Sequence, residues 1–217
     1  MTRHFLREME QLTRDVMVMG GLCESAVTRG VKAFLVSDHT TAQTVVDGDG
    51  EINALELRIE EEVLKILALY APTAKDLRYV VGIFKITNDL ERVGDLAVNI
   101  SERALSREGR EDREGLAELG AMGEACGAML RGALDAFVKQ DRRKAEEVLR
   151  MDDQVDDLLV KTYEQQRELM ESGKGDVRAG LLILSTAKYL ERIADHSTNV
   201  AEDVIYMVAG DLVRHAH

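Results

Sequence analysis

The sequence predicts an all-α protein made of two tandem, pseudo-symmetric antiparallel three-helix bundles. The first observation is an internal repeat of about 100 residues, because a repeat of that length indicates a duplicated structural unit. The second is the composition: one proline, no tryptophan and 45% apolar residues are typical of long helices with few breaks. The third is the recurrence of apolar residues at three- and four-residue steps, which indicates amphipathic helices rather than strands.

This periodicity predicts six long helices, three in each half. In the first half they run from about Phe5 to Val36, from Thr40 to Tyr70, and from Pro72 to about Ser106. Pro72 is expected to open its helix, where its missing N–H does no harm. In the second half they cover 116–139, 141–171 and 176–213. Short connections between long helices force neighbouring helices to run antiparallel.

The repeat also predicts the domain boundaries. The first three-helix repeat is expected at 1–108, a charged linker at 109–115, and the second repeat at 116–217. Equivalent residues are 103 positions apart in the upstream part of the repeat, where Cys23 matches Cys126. They are 100 apart further on, where Glu91 matches Glu191, so the second copy has a loop three residues shorter.

The charge and the N-terminus exclude several classes of protein. The net charge of −12 argues against binding to nucleic acid and to anionic lipid surfaces. The first residues carry charges where a signal peptide needs an apolar core, and no apolar stretch reaches the roughly 18 residues of a membrane span. We therefore expect a soluble cytoplasmic protein without membrane insertion. Cys23 and Cys126 are expected to be small buried residues rather than a disulfide.

A polar motif recurs in the third helix of each half. The segments are Leu90-Glu91-Arg92-x-x-Asp95-x-x-x-Asn99-x-x-Glu102 and Leu190-Glu191-Arg192-x-x-Asp195-x-x-x-Asn199-x-x-Glu202. Their acidic stripe lies nearly opposite an apolar stripe, which a solvated helix face would also show. However, carboxylates at positions i and i+4 repel each other, and the two copies differ at the small or polar positions between the motif residues. This combination favours a shared function over simple solvation.

A second acidic pair lies on the preceding helix of each half, and antiparallel packing is able to bring it opposite the motif acids. Four oxygen-bearing side chains at one place form a site for a hard cation such as Mg²⁺, Mn²⁺ or iron. The predicted metal ligands are Asp49, Asn53, Glu91 and Asp95 in the first half, and Asp152, Asp156, Glu191 and Asp195 in the second. Additional candidate ligands are Asn99, Glu102, Asn199, Glu202 and His196. Without metal, repulsion between the carboxylates would raise their pKa values.

Basic residues near the motif have simpler explanations. Arg92 and Arg192 are expected to form a salt bridge to another helix, with oxyanion recognition as the second option, because adjacent helical residues diverge by about 100°. His196 has no counterpart in the first half, where Leu96 stands, and a lone histidine on a helix is more often solvated than a ligand. His215 and His217 lie near the end of the sequence and carry little weight.

The run Pro72-Thr73-Ala74-Lys75-Asp76-Leu77-Arg78, together with the two motif segments, resembles the PhoU family of phosphate-specific transport system accessory proteins. The resemblance implies metal ions or multinuclear metal clusters at the acidic motifs, and a regulatory rather than catalytic role. It implies action in the cytoplasm with the phosphate ABC transporter and its partner sensor histidine kinase, repressing the phosphate-starvation response. Asn53 stands where the second copy has Asp156, which makes the first site weaker by one charge.

Two other interpretations were compared with this one. Di-iron carboxylate enzymes of the ferritin-like kind need Glu-x-x-His on two helices, and no glutamate in the sequence is followed three residues later by histidine. The alternative that stays open is a metal-free helical adaptor whose acidic faces bind a basic partner. For the oligomeric state, a homodimer is the default expectation.

Overall fold

The computed structural model describes residues 3–107 and 115–210, and every regular element within these ranges is an α-helix. The helices are α1 (Arg3–Val36), α2 (His39–Tyr70), α3 (Ala74–Leu105), α4 (Leu116–Lys139), α5 (Arg142–Glu171) and α6 (Val177–Ala209). All six helices expected from the periodicity are present. Most of the predicted linker, the predicted end of the last helix, His215 and His217 lie outside the described residues.

Aspartates set the starts of three helices. The carboxylate of Asp38 accepts a hydrogen bond from the backbone N–H of Thr41, and its repeat equivalent Asp141 caps α5 in the same way. Asp176 caps α6. The prediction that Pro72 opens the third helix is wrong: Ala71 ends α2 in the left-handed conformation, so Pro72 belongs to the connection and α3 begins at Ala74.

Each half is an up-down-up bundle of three helices, as predicted. In the first half, α1 and α2 run antiparallel and are joined by ion pairs from Arg58 to Asp15 and from Lys65 to Glu8, with N–O distances of 3.0 and 3.3 Å. The third helix then returns parallel to the first. In the second half, Lys161 of α5 pairs with the carboxylate of Glu118 at the start of α4, at 2.9 Å.

The two halves pack through α3 against α6 and through α1 against α4. The α3–α6 register is antiparallel, since Gly82 lies against Met207 and the carboxylate of Asp89 accepts a hydrogen bond from Asn199. Equivalent residues of α3 and α6 are 100 positions apart, so this register places Gly94 and its equivalent Ala194 at the crossing point. A pseudo-two-fold axis therefore relates the halves and passes close to these two small residues.

One hydrophobic core extends through both halves, because buried apolar residues from all six helices form a single cluster. Phe34 and Phe137 are its largest fully buried side chains. The ring of Phe137 in α4 stacks on Tyr79 of α3 with 5.8 Å between centroids, which joins the two bundles. No helix in the described ranges is long and apolar enough to cross a membrane.

We predict that Phe137→Ala lowers the free energy of unfolding by about 3–5 kcal/mol, because it removes a buried aromatic ring and leaves a cavity. The loss should appear as one shifted cooperative transition in urea, monitored by circular dichroism, since the ring belongs to a core shared by both halves. Val138→Ala is the matched control: Val138 is 47% exposed, so its effect should stay within about 0.5 kcal/mol. Two separate transitions in the parent chain would contradict the shared core.

Candidate metal centres

The first acidic cluster lies in the groove between α2 and α3. Asp49 of α2 packs against the backbone of α3, where a Cβ added at Gly94 would lie 3.7 Å from Asp49 Oδ1. Asn53 Nδ2 donates a hydrogen bond of 2.7 Å to Asp49 Oδ2. Asp49 Oδ1 and Asn53 Oδ1 are buried and have no hydrogen-bond partner among the described residues. Unsatisfied buried oxygens of this kind are costly, and a bound cation would compensate them.

Glu56 is a member of this cluster that the sequence reasoning missed. Burial, and then repulsion from Asp95, raises the pKa of Glu91, with smaller contributions from Glu56 and Asp49. The pKa of Glu56 is itself raised by burial and by neighbouring carboxylates, including Asp95. Comparison of the two repeats does not reveal Glu56, because its equivalent in the second half is Leu159. The sequence feature that indicates its place in the cluster is its position one turn after Asn53, on the same side of α2.

Arg92 neutralises part of the first cluster, so the prediction of a salt bridge to another helix is wrong. Its guanidinium lies 3.3 Å from Glu91 Oε2 and 3.2 Å from Asp95 Oδ2, both on its own helix. Asp95 is the i+3 neighbour of Arg92 on the helix surface, so the angle of about 100° between adjacent residues does not exclude this pair. Arg92 is 61% exposed at its side chain, so the contribution of these pairs to stability is small.

The second cluster lies in the equivalent groove between α5 and α6, and the four predicted side chains are together there. Burial, and then repulsion from Asp156 and Asp195, raises the pKa of Asp152 to about 6. The pKa values of Asp156 and Asp195 are also raised, in each case by burial first and by the charge of Glu191 second. A proton or a cation is therefore favoured at this place.

Lys188 is the basic residue of the second cluster, and the sequence reasoning did not identify it. Its Nζ lies 2.5 Å from Glu191 Oε1, while Glu191 Oε2 is buried without a hydrogen-bond partner among the described residues. The equivalent residue in the first half is Asn88, whose side chain bonds to the backbone of its own helix. Within the described residues, one basic side chain is thus ion-paired at each cluster, and Arg92 and Lys188 come from different positions of the repeat.

A protonated thiol lies behind each cluster. Cys23 Sγ donates to the carbonyl of Leu90 at 3.2 Å, and Cys126 Sγ donates to the carbonyl of Leu190 at 3.1 Å. Burial is the main cause that raises the pKa of each thiol to about 12. Both cysteines are free and buried, as predicted. Since the thiols stay protonated at neutral pH, the donors that these clusters offer are oxygens.

The structure places two of the additional candidates at the interface between the halves. His196 Nδ1 lies 2.8 Å from Asp89 Oδ1, and Asn199 Nδ2 donates to the same oxygen at 3.1 Å. Both side chains thus contact α3 rather than the acids of α5. Asn99 and Glu102 lie one and two turns beyond Asp95. The roles of these residues and of Glu202 as ligands stay predictions.

The donor chemistry of both clusters suits a hard cation, but the side chains are not arranged around one. Within residues 3–107 and 115–210, no group of three or more His, Cys, Asp or Glu side chains is positioned to hold a metal ion as it stands. Glu91 Oε2 lies 3.3 Å from the guanidinium of Arg92 and Glu191 Oε1 lies 2.5 Å from Lys188 Nζ, so one oxygen of each glutamate is paired with a basic side chain.

Comparison with known proteins identifies the family of the chain. The family model described as the PhoU domain matches twice, at residues 16–104 and 119–204, so that each match contains one acidic motif. The chain belongs to the PhoU family. The Phosphate-specific transport system accessory protein PhoU of Edwardsiella tarda is 35% identical over 211 residues, which cover 97% of this chain and 87% of that protein. The PhoU homolog of Pseudomonas aeruginosa is 39% identical, with coverages of 99% and 89%.

Solved structures of PhoU proteins have the same fold. The crystal structure of PhoU from Pseudomonas aeruginosa superposes with a TM-score of 0.91 at 37% identity, covering 95% of this chain and all of that one. The structure of the phosphate transport system regulatory protein PhoU from Streptococcus pneumoniae gives 0.88 at 28% identity, covering 96% of this chain and 99% of that chain. The all-α architecture of two three-helix bundles is thereby confirmed.

We predict that Asp152→Asn stabilises the metal-free protein at neutral pH and has no effect near pH 4. The folded-state pKa of about 6 lies above the ordinary value of 3.8, so the folded state binds this proton more tightly than the unfolded state. The stability linked to the proton is present below about pH 4 and is lost as the pH rises to about 6. After solvent screening, we expect a gain of about 1 kcal/mol above this range.

The measurement is urea unfolding across this pH range with chelator present. Glu147→Gln on the exposed side of the same helix is the control and should leave the pH dependence unchanged. A variant that follows the parent at every pH would show that Asp152 keeps its ordinary pKa in the folded protein.

Proposed function

We propose that the protein is a cytoplasmic accessory protein of a phosphate-specific transport system, and that it negatively regulates phosphate uptake and phosphate-starvation signalling. It acts by contact with the cytoplasmic side of the phosphate ABC transporter and with a phosphate-sensing histidine kinase, as a homodimer. Its role is regulatory rather than catalytic. Divalent or iron metal ions bound at the two acidic clusters are part of this proposal.

The observation that supports this function best is the double match to the PhoU domain, in which each matched segment contributes one acidic cluster in an equivalent groove. The two relatives described above are 35% and 39% identical to this chain over nearly its whole length. Both are named as accessory proteins of the phosphate-specific transport system, one of them as a homolog. Since identity extends over both halves, the proposal concerns the whole chain. The net charge of −12 is also consistent with protein partners rather than nucleic acid.

The metal part of the proposal is supported by the electrostatics of the clusters. Burial raises the pKa values of Glu91, Asp152, Asp156 and Asp195, and repulsion from carboxylates on the same and the facing helix raises them further. A hard cation would replace repulsion by attraction, and buried oxygens such as Asp49 Oδ1 and Glu191 Oε2 are available to it. Bound metal would therefore tie α2 to α3 and α5 to α6.

A metal-free adaptor with acidic partner-binding faces is the second candidate. The observation that favours it is the ion pairing of Glu91 with Arg92 and of Glu191 with Lys188, which partly neutralises both clusters without metal. On this interpretation, the remaining carboxylates would bind lysine or arginine side chains of a partner. Metal analysis distinguishes the two candidates.

We predict that the purified chain retains or takes up stoichiometric Mn, Fe or Mg, and that a variant with Asp95→Asn and Asp195→Asn does not. Each substitution removes one carboxylate from one cluster while keeping the size of the side chain. Elemental analysis after reconstitution and desalting measures the effect, and circular dichroism should show unchanged helix content. A control with Asp47→Asn and Glu147→Gln, at exposed positions, should hold as much metal as the parent. Absence of metal from the reconstituted parent would favour the adaptor.

Glu56 provides a separate prediction for the first centre. In an Asp195→Asn background, which disables the second centre, Glu56→Gln should weaken Mn²⁺ binding by at least about tenfold, because it removes a carboxylate that compensates for Asn53. Calorimetric titration measures the dissociation constant. Glu61→Gln, an exposed position on the same helix, is the control and should leave it unchanged. Equal affinities of the Glu56 variant and its background would show that Glu56 lies outside the metal shell.

A further inference from the structure

Both halves expose large aliphatic side chains at equivalent positions of the repeat. Exposed large apolar residues are common singly, but a set that recurs at three equivalent positions is not explained by chance exposure. The pairs and their exposed fractions are Leu57 with Val160 (59% and 57%), Leu77 with Val177 (41% and 55%), and Val81 with Leu181 (37% and 58%). Each position thus remains exposed and apolar in both copies.

These residues form two patches, one beside each acidic cluster. The first patch comprises Leu57 of α2 with Leu77 and Val81 of α3, and Leu64, which is 63% exposed, extends it. In α3 it lies on the stripe that continues to Glu91 three turns later. The second patch comprises Val160 of α5 with Val177 and Leu181 of α6, and Tyr163, 46% exposed, extends it on α5. The position equivalent to Leu64 is occupied by Arg167, which is exposed.

The pseudo-two-fold axis near Gly94 and Ala194 relates the two patches. Because α3 and α6 run antiparallel, Val81 and Leu181 each lie about 20 Å from the crossing point, at opposite ends of the helix pair. These parts of the two patches are therefore roughly 40 Å apart on the face formed by α2, α3, α6 and α5, and both acidic clusters lie between them. A partner that covers both patches must present the same apolar feature twice.

The charges around the patches determine the chemistry of that partner. Glu61 borders the first patch and its repeat equivalent Glu164 borders the second, both exposed. The acidic clusters add further carboxylates between the patches. A second copy of this chain would bring like charges together across the face, which opposes self-association there. Anionic lipid is disfavoured for the same reason. These four helices also carry lysine and arginine, Arg58 and Arg167 among them, but their carboxylates are more numerous. Basic side chains are therefore the complement of this surface.

We propose that the face formed by α2, α3, α6 and α5 binds a two-fold symmetric protein that presents the same amphipathic, lysine- or arginine-rich segment twice, one copy on each apolar patch. The proposal rests on the proposed accessory function, which requires a protein partner, and names the surface and the symmetry of that partner. It does not depend on metal. The patches supply apolar contact, and the glutamates that border them select for basic segments.

The test uses a synthetic amphipathic helix of leucine and lysine, as a monomer and as a dimer joined by a flexible glycine–serine linker of about 50 residues, long enough to span both patches. Calorimetry with excess chelator measures both affinities for the full chain. We expect the dimer to bind at least about 100-fold more tightly than the monomer, because its second contact is intramolecular. The result is then independent of whether the clusters bind metal.

Two double variants test the patches themselves. The first combines Leu77→Glu with Val81→Glu, and the second combines Val177→Glu with Leu181→Glu. Each should reduce the affinity for the dimer to that of the monomer, and the combination should abolish binding of both peptides. Added glutamates would strengthen a purely electrostatic attraction to lysine, so a loss identifies apolar contact. The control Val36→Glu with Val138→Glu, at positions 63% and 47% exposed outside the patches, should behave as the parent.

Three results would overturn the proposal. Equal affinities of the parent for monomer and dimer would exclude a partner that uses both patches. Light scattering that shows a dimeric parent and monomeric patch variants would assign the surface to a second copy of the chain. Sedimentation with phosphatidylglycerol vesicles that depends on the patches would assign it to a membrane. Since metal analysis is a separate measurement, failure here leaves the metal centres and the family assignment unaffected.

Discussion

The packing of α3 against α6 is the contact on which the arrangement of both acidic clusters depends. These two helices contribute the Glu-x-x-x-Asp motifs, most of the contact between the bundles, and a large share of the single core. Small residues allow the close approach, since a Cβ at Gly82 would lie 2.4 Å from the Met207 side chain. With α3 and α6 fixed to each other, α2 and α5 can pack only on the outer sides, and each then faces one motif.

Each groove holds more negative charge than its basic residues neutralise. Facing carboxylates cost free energy in the metal-free protein, and the protein tolerates this cost because the surrounding core is continuous and well packed. Two observations reflect this free-energy cost: the pKa of Asp152 is raised, and Asp49 Oδ1 and Glu191 Oε2 are buried without a hydrogen-bond partner among the described residues. A bound cation would therefore act on a surface that is already folded, and its binding would be coupled to the packing of the outer helices rather than to formation of the core.

Much of the fold could be predicted from the sequence, because apolar residues recur at three- and four-residue steps along each long helix. The internal repeat shows this periodicity in both halves. The grouping of the eight principal candidates, seven acids and Asn53, in two equivalent grooves was likewise predictable from spacing, while their role as metal ligands stays a prediction. Glu56 was missed because the repeat aligns it with Leu159. Arg92 was misassigned because its pair with Asp95 is an i, i+3 contact along its own helix, which the angle between Arg92 and Glu91 does not describe. The contact of Asp89 with His196 depends on the register between two helices that are far apart in the sequence, and no local pattern encodes that register.

That contact also shows that the halves have become different parts of one protein. Asp89 has Tyr189 as its repeat equivalent, and His196 has Leu96. A chain assembled from two first halves would place the half-buried carboxylate of Asp89 opposite a leucine, without its imidazole partner. A chain assembled from two second halves would place the imidazole opposite a tyrosine ring. Two identical copies of either half would thus lack this pair, and at this contact the symmetry between the halves is one of shape rather than of chemistry.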